Sequence, residues 1–343
     1  MKSKLGLLAI LLTLALSSCD FGNVLPSVTG SQFEVLAIVN DSTWKTPGGQ
    51  YLKELLTSDM EGLPQAESVF DVSRFTHYAF SDMFKATRNI IMVEVSNRYT
   101  APKIVYGSDR WAHPQAIITL VAPDNESFEK LVKEQGANIV NYFVAAERNR
   151  QISYNKDNIN LTAKQEIEKM FGIQIDIPKG IATITKHKDF LWITNDQVSV
   201  HQNIVVYSYP YTDPNTFTKE YLIAKRDSMM KNIPGELEGS HMGTENYYSE
   251  VQFSEIGINK GYCAELRGLW KMENGLTMGG PFVSHTRLDE VNQRVITTEI
   301  FVFAPAKKKR NPVRQLEAVL YTSKLPQEIN QLKEVSVTAT QAE

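Results

Sequence analysis

Hydrophobic and polar positions change period repeatedly along the chain. Ile117–Ala122 is an apolar run closed by Pro123, and after a short polar stretch Phe128, Leu131, Val132, Ile139, Phe143 and Ala146 recur at helical spacing. Ile204–Tyr209 closes at Pro210 and leads through Asp213-Pro214 to Phe217 and Tyr221. Ile300–Ala304 closes at Pro305 and leads through a basic loop to Val313, Leu316, Leu320 and Tyr321. Phe33–Val39 followed by Thr46–Leu56 is a looser fourth case. Proline has no N–H to give a strand ladder, so it marks strand ends. Asp213 and Asn311, each followed by proline, have the chemistry of helix N-caps. Thr162 and Gln165 form a capping-box pattern that predicts a further helix ending at Gly172.

Other stretches predict antiparallel pairs. Asn274-Gly275 between apolar segments predicts a two-residue type I′ hairpin, and Ile181–Thr185 with Phe190–Thr194 predicts a second hairpin. Asn89–Val95 and Val295–Phe303 read as apolar strands. Hairpins with amphipathic helices laid on one face give an α+β class with antiparallel or mixed sheets. The recurring strand-to-helix unit predicts two related lobes, 33–160 and 161–326, followed by a flexible tail at 327–343.

The N-terminus has its own pattern. Lys2 and Lys4 precede the apolar run Leu5–Leu16, which is shorter than a spanning helix and has secretory signal anatomy. Leu16-Ser17-Ser18-Cys19 resembles the lipobox of bacterial lipoproteins. That resemblance implies a signal peptide at 1–18, a diacylglycerol (and often a further acyl chain, such as palmitate) on Cys19, and membrane lipid as a partner. Residues 19–32 lack periodicity and read as a tether to the membrane, inner or outer.

A net charge of −3 does not indicate a nucleic-acid surface. Lys307–Arg310 reads as a solvated turn, with anionic lipid headgroups as an alternative contact. The chain has two cysteines, so a lipidated Cys19 leaves Cys263 without a disulfide partner, and its alternating context predicts a buried thiol. The six histidines have no metal-helix spacing. His241–Glu245 comes nearest, and its glycine predicts a loop. Ser284 and His285 are adjacent, which in a strand sends them to opposite faces and makes them a poor nucleophile and base. No phosphate loop, dinucleotide fingerprint or nucleophile elbow is present, so neither a cofactor nor a metal is expected and no catalytic residue is assigned.

Two segments combine tryptophan with glycine, proline and polar donors: Tyr106–Gln115 and Arg267–Phe282. From them Arg110, Trp111, His113, Gln115 and Trp270 are candidates for a ligand or partner surface, with a core role as the alternative for both tryptophans. The runs 111–115, 268–272, 278–282 and 303–305, together with the lipobox, resemble an uncharacterised family of Bacteroidetes-type envelope lipoproteins that carries a domain-of-unknown-function label. The resemblance implies an envelope location and brings no activity or site residue. The expectation is a non-enzymatic binding or assembly protein whose partner is an envelope protein or glycan. The alternative is a cell-envelope hydrolase, directed at glycan or peptide, with paired carboxylates at strand ends.

Overall fold

A computed structural model describes residues 24–332 except 196 and 198. The segment expected to be a signal peptide, Cys19, and the last eleven residues lie outside the described residues. The fold is α+β and contains two sheets.

The first sheet has five strands in the order β2-β1-β3-β5-β4, formed by β1 (Glu34–Ile38), β2 (Asp71–Phe75), β3 (Asn89–Val95), β4 (Lys103–Ser108) and β5 (Ala116–Ala122). All pairs are parallel except β4 with β5. Parallel neighbours need long crossovers, and α1 (Pro47–Leu56) supplies one, started by Thr46, whose hydroxyl accepts from Gly49 N–H. The 32-residue α2 (Asn125–Lys156) follows β5, with Asp124 accepting from Ser127 N–H at its start. α3 (Leu161–Phe171) does end at Gly172 with φ 62°, but its cap is Asn160 rather than Thr162. The amide of Asn160 both accepts from Ala163 N–H and donates to Ile181 O, so a tertiary contact fixes the start two residues early.

The second sheet is antiparallel, with the order β10-β11-β12-β13-β8-β7-β6. Its strands are β6 (Thr183–His187), β7 (Phe190–Thr194), β8 (His201–Pro210), β9 (His241–Glu245), β10 (Gln252–Ile258), β11 (Gly261–Glu273), β12 (Gly279–Asp289) and β13 (Arg294–Phe303), with β9 pairing on β11. His241–Glu245 is thus a strand: Gly243 lies opposite Lys271, where pairing decides the conformation. The 274–278 connection is a hairpin, but it has five residues, and only Asn274 takes positive φ, so the type I′ expectation fails there. The strand-to-helix step recurs in both sheets, yet their strand orders and directions differ.

α4 (Lys219–Met230) and α5 (Arg310–Leu320) lie on opposite faces of the second sheet. Val205, Tyr207 and Phe301 pack with Leu222 and Met230 of α4. Ile204, Val206 and Ile300 pack with Leu316 and Val319 of α5. This is why β8 is buried over almost its whole length. α5 also packs on α2, so one core runs from the first sheet through α2 and α5 to the second.

The basic loop helps to close this junction. Lys309 and Arg310 are buried rather than solvated. Glu67 accepts from both of their backbone N–H groups, at 2.6 and 3.0 Å, and so caps α5 in place of Asn311. Arg310 also pairs with Asp71 at 2.5 Å. At the chain's other end, residues 326–332 are helical, and Glu328 pairs with the buried Arg287.

Candidate functional site

A cavity of about 630 Å³ opens where α2, the 178–181 segment and α5 meet. Its position follows from the packing of α2. The buried stripe Ile139–Phe143 continues in phase, but from residue 147 it is polar: Glu147, Gln151, Asn155. Those side chains face a space that apolar groups do not fill.

Four cations, Arg88, Arg150, Arg314 and Lys179, line the cavity with a single carboxylate, Glu147. Glu147 is 3 % exposed and already engaged. Asn89 Nδ2 donates to it at 2.7 Å and Arg150 at 2.9 Å. Arg150 is otherwise occupied by the carbonyls of Pro114 and Arg88. Two donors at the site remain unsatisfied: Asn155 Nδ2 and Arg314 Nε have no hydrogen-bond partner. Arg88 Nε is ion-paired with Glu147 at 2.9 Å. Asn155 is 1 % exposed, so its idle N–H carries a desolvation penalty of about 1–3 kcal/mol. A pocket of this size suits a small molecule, and its excess of donors over acceptors suits an anionic, oxygen-rich one.

Behind Arg314 lies a buried ionic chain. Glu317 accepts from Arg267 and, at 3.0 Å, from Arg314. Arg267 also donates to Glu265 at 2.7 Å, and His285 Nε2 lies 2.9 Å from Glu265. Burial alone would raise Glu317, but Arg267 and Arg314 outweigh it and hold the carboxyl at about 2. Glu265 is likewise held low, by His285 and Arg267 against burial. Ser284 and His285 do point to opposite faces of β12, and His285 belongs to this chain of charges. Cys263, beside it, is buried and free, and burial pushes its thiol up to about 12, which removes the thiolate a nucleophile needs.

The sequence-derived candidates are not in this cavity and do not form one surface. Trp270 is 2 % exposed, donates to Val302 O and stacks edge-on against Phe301, so it is core. Gln115 is also buried. Its amide donates to Lys85 O and Thr87 O and accepts from Trp111 N–H, clamping a loop. Arg110 stacks on Trp111, which packs on the outer face of the first sheet. Trp111 is half-buried there against Phe80, and the exposed His113 faces Asp109 at 3.0 Å. The cavity residues come from segments that no local motif links. The one sequence sign was the polar continuation of the α2 stripe beyond Ala146.

Among the described residues no group of three or more His, Cys, Asp or Glu could hold a metal ion, and no helix is long and apolar enough to cross a membrane. Comparison with curated proteins finds no match. The chain carries matches to two domains of unknown function: residues 28–156 fit the family model described as DUF8532 and residues 160–322 that described as DUF4837.

Proposed function

We propose that this chain is a membrane-tethered envelope lipoprotein that binds a small acidic ligand in the cavity between its sheets. The observation that carries the reading is the surplus of donors there: two unsatisfied N–H groups, on Asn155 and Arg314, at a cavity lined by four cations and one ion-paired carboxylate. Donors left idle in the free protein are explained by an acceptor that arrives with a ligand. An acidic sugar fits this chemistry, with its carboxylate against the guanidiniums and its hydroxyls against Asn155, Gln151 and Gln202. A glycosidase would need a second carboxylate facing Glu147 across the ligand, and the described lining offers cations and amides instead. The anchor and the envelope of a Bacteroidetes-type bacterium are supported by the Lys2-to-Cys19 anatomy and by the family resemblance.

N-acetylmuramic acid, with uncharged N-acetylglucosamine as its control, is the probe for calorimetric titration. The acid should bind more tightly, with affinity falling as salt rises. Asn155→Leu should change the melting temperature little, because the idle donor it removes offsets the bond its Oδ1 accepts from Gln151 at 2.8 Å, while weakening the acid by about tenfold, the scale of one charge-assisted hydrogen bond. Equal affinity of Asn155→Leu and the unmodified protein, or no binding of either sugar, would sink the cavity reading.

The anchor is tested separately. Cys19→Ala should move the protein from the membrane fraction to the soluble fraction of the envelope. A variant still pelleting with membranes in the absence of acyl chains would show that something other than lipid holds it.

A further inference from the structure

We infer that the outer face of the first sheet is the surface this protein lays against the lipid bilayer. The inference rests on the lipid anchor at Cys19 proposed above. Along β1, β3 and β5 alternate residues turn away from α1 and α2: Leu36, Ile38, Ile90 and Ile117 form a small apolar cluster of their own. Among the described residues no long helix covers it. The cover is the 76–87 segment and Trp111, which lay Phe80, Phe84 and Trp111 over the sheet as half-buried rings, with Phe75 at the end of β2 against Phe84. Two further side chains of that cover point outward, Tyr78 at 101 % exposure and Met83 at 77 %. Arg110 stacks its guanidinium on Trp111 at 4.5 Å and has no carboxylate within ion-pair distance among the described residues. Aromatic rings, an apolar methionine and an unpaired arginine together are the composition that settles at a membrane–water boundary.

The course of the chain selects lipid as the occupant. Pro26 O accepts from His113 N–H at 2.8 Å, Val28 N–H donates to His113 O, and Thr29 N–H donates to Ala86 O. The segment that leads back to Cys19 is therefore fastened between the two strips that make up the patch. From exposed Val24 only five peptide units remain to Cys19, a reach of at most about 18 Å. An acylated Cys19 must then hold Val24 within that distance of the headgroups, and with it the adjoining segment bonded to His113 and Ala86 at the edge of the patch. Tyr247 and Tyr248 are as exposed, but they sit on a turn beside Glu245 and Glu250 with no short link to the anchor.

The test uses the full lipidated chain, reconstituted in vesicles of phosphatidylethanolamine and phosphatidylglycerol with plain or brominated acyl chains. Bromine quenches tryptophan only at contact range. The expected result is quenching in the brominated vesicles, most of which is lost in Trp111→Phe. Tyr78→Asp combined with Met83→Asp should also remove most of it while the protein still floats with the vesicles, since both positions are exposed and do not carry the fold. Protein that floats with vesicles yet shows the same fluorescence with and without bromine overturns the inference, including the case in which a second copy or another protein covers Trp111. Mass measurement of the acyl chains on Cys19 keeps a failure of the anchor distinct from a failure of the face.

Discussion

Arg226→Met is expected to destabilise the fold by about 3–5 kcal/mol, because it strands a carboxylate in the core. Arg226 and Glu299 are both fully buried. The guanidinium reaches Glu299 through Nε at 3.0 Å and Nη2 at 2.7 Å, donates through Nη1 to Thr244 at 2.8 Å, and lies 3.7 Å above the Phe282 ring. Thr244 in turn donates to Asp227, so every partner is oriented by another. Removing the cation leaves Glu299 without its counter-charge in the layer between α4 and the second sheet. The double variant Arg226→Met with Glu299→Leu should recover most of the loss, since an apolar pair of similar volume is a tolerated replacement for a buried ion pair. Urea unfolding at constant slope reads both. If the double variant is as unstable as the single one, shape rather than stranded charge sets the penalty.

Glu317→Gln is the second large effect, on the order of 3 kcal/mol at neutral pH, the free energy that corresponds to a carboxyl moved from 4.5 to about 2. The substitution leaves Arg267 and Arg314 facing one another with Glu265 as the nearest remaining carboxylate. The pH dependence has a definite sign. The folded-state value lies below the unfolded one, so on acidification the unfolded chain takes up its proton first. The contribution is complete above pH 4.5 and is lost as the pH falls toward 2. Glu265, also held low, acts in the same direction. Stability of the unmodified protein should therefore fall steeply below pH 4.5, and the gap to Glu317→Gln should close over the same interval. A gap that stays constant down to pH 2 would show that Glu317 is not held by its arginines.

These two ion-paired layers and the donor-rich cavity share a cause that also limits what could be read in advance. Each buried charge sits on an element whose apolar pattern was legible: Glu299 within β13, Glu317 within α5, Glu147 on α2. The pattern placed the element, but it did not show that the polar residue on its inner face would meet a cation many residues distant. Arg226 meets Glu299 across 73 residues and Glu67 caps α5 across about 240. Contacts that distant leave no local spacing.

The sequence by itself determined the α+β class, the apolar strands at 89–95 and 117–122, the two hairpins, the cap at Asp213 and the helix end at Gly172, because period, proline, glycine and capping side chains act within a few residues. The alternating context of Cys263 also placed it as a buried thiol, as the structure has it. Tertiary structure alone decided the rest. It made His241–Glu245 a strand by pairing it with β11, and moved the cap of α5 from Asn311 to Glu67. It buried Trp270 and Gln115 while leaving Trp111 on an outer face, and brought Arg88, Asn155 and Arg314 to one cavity. Burial and pairing are properties of what arrives opposite a residue, and that is set only when the two sheets close on the helices between them.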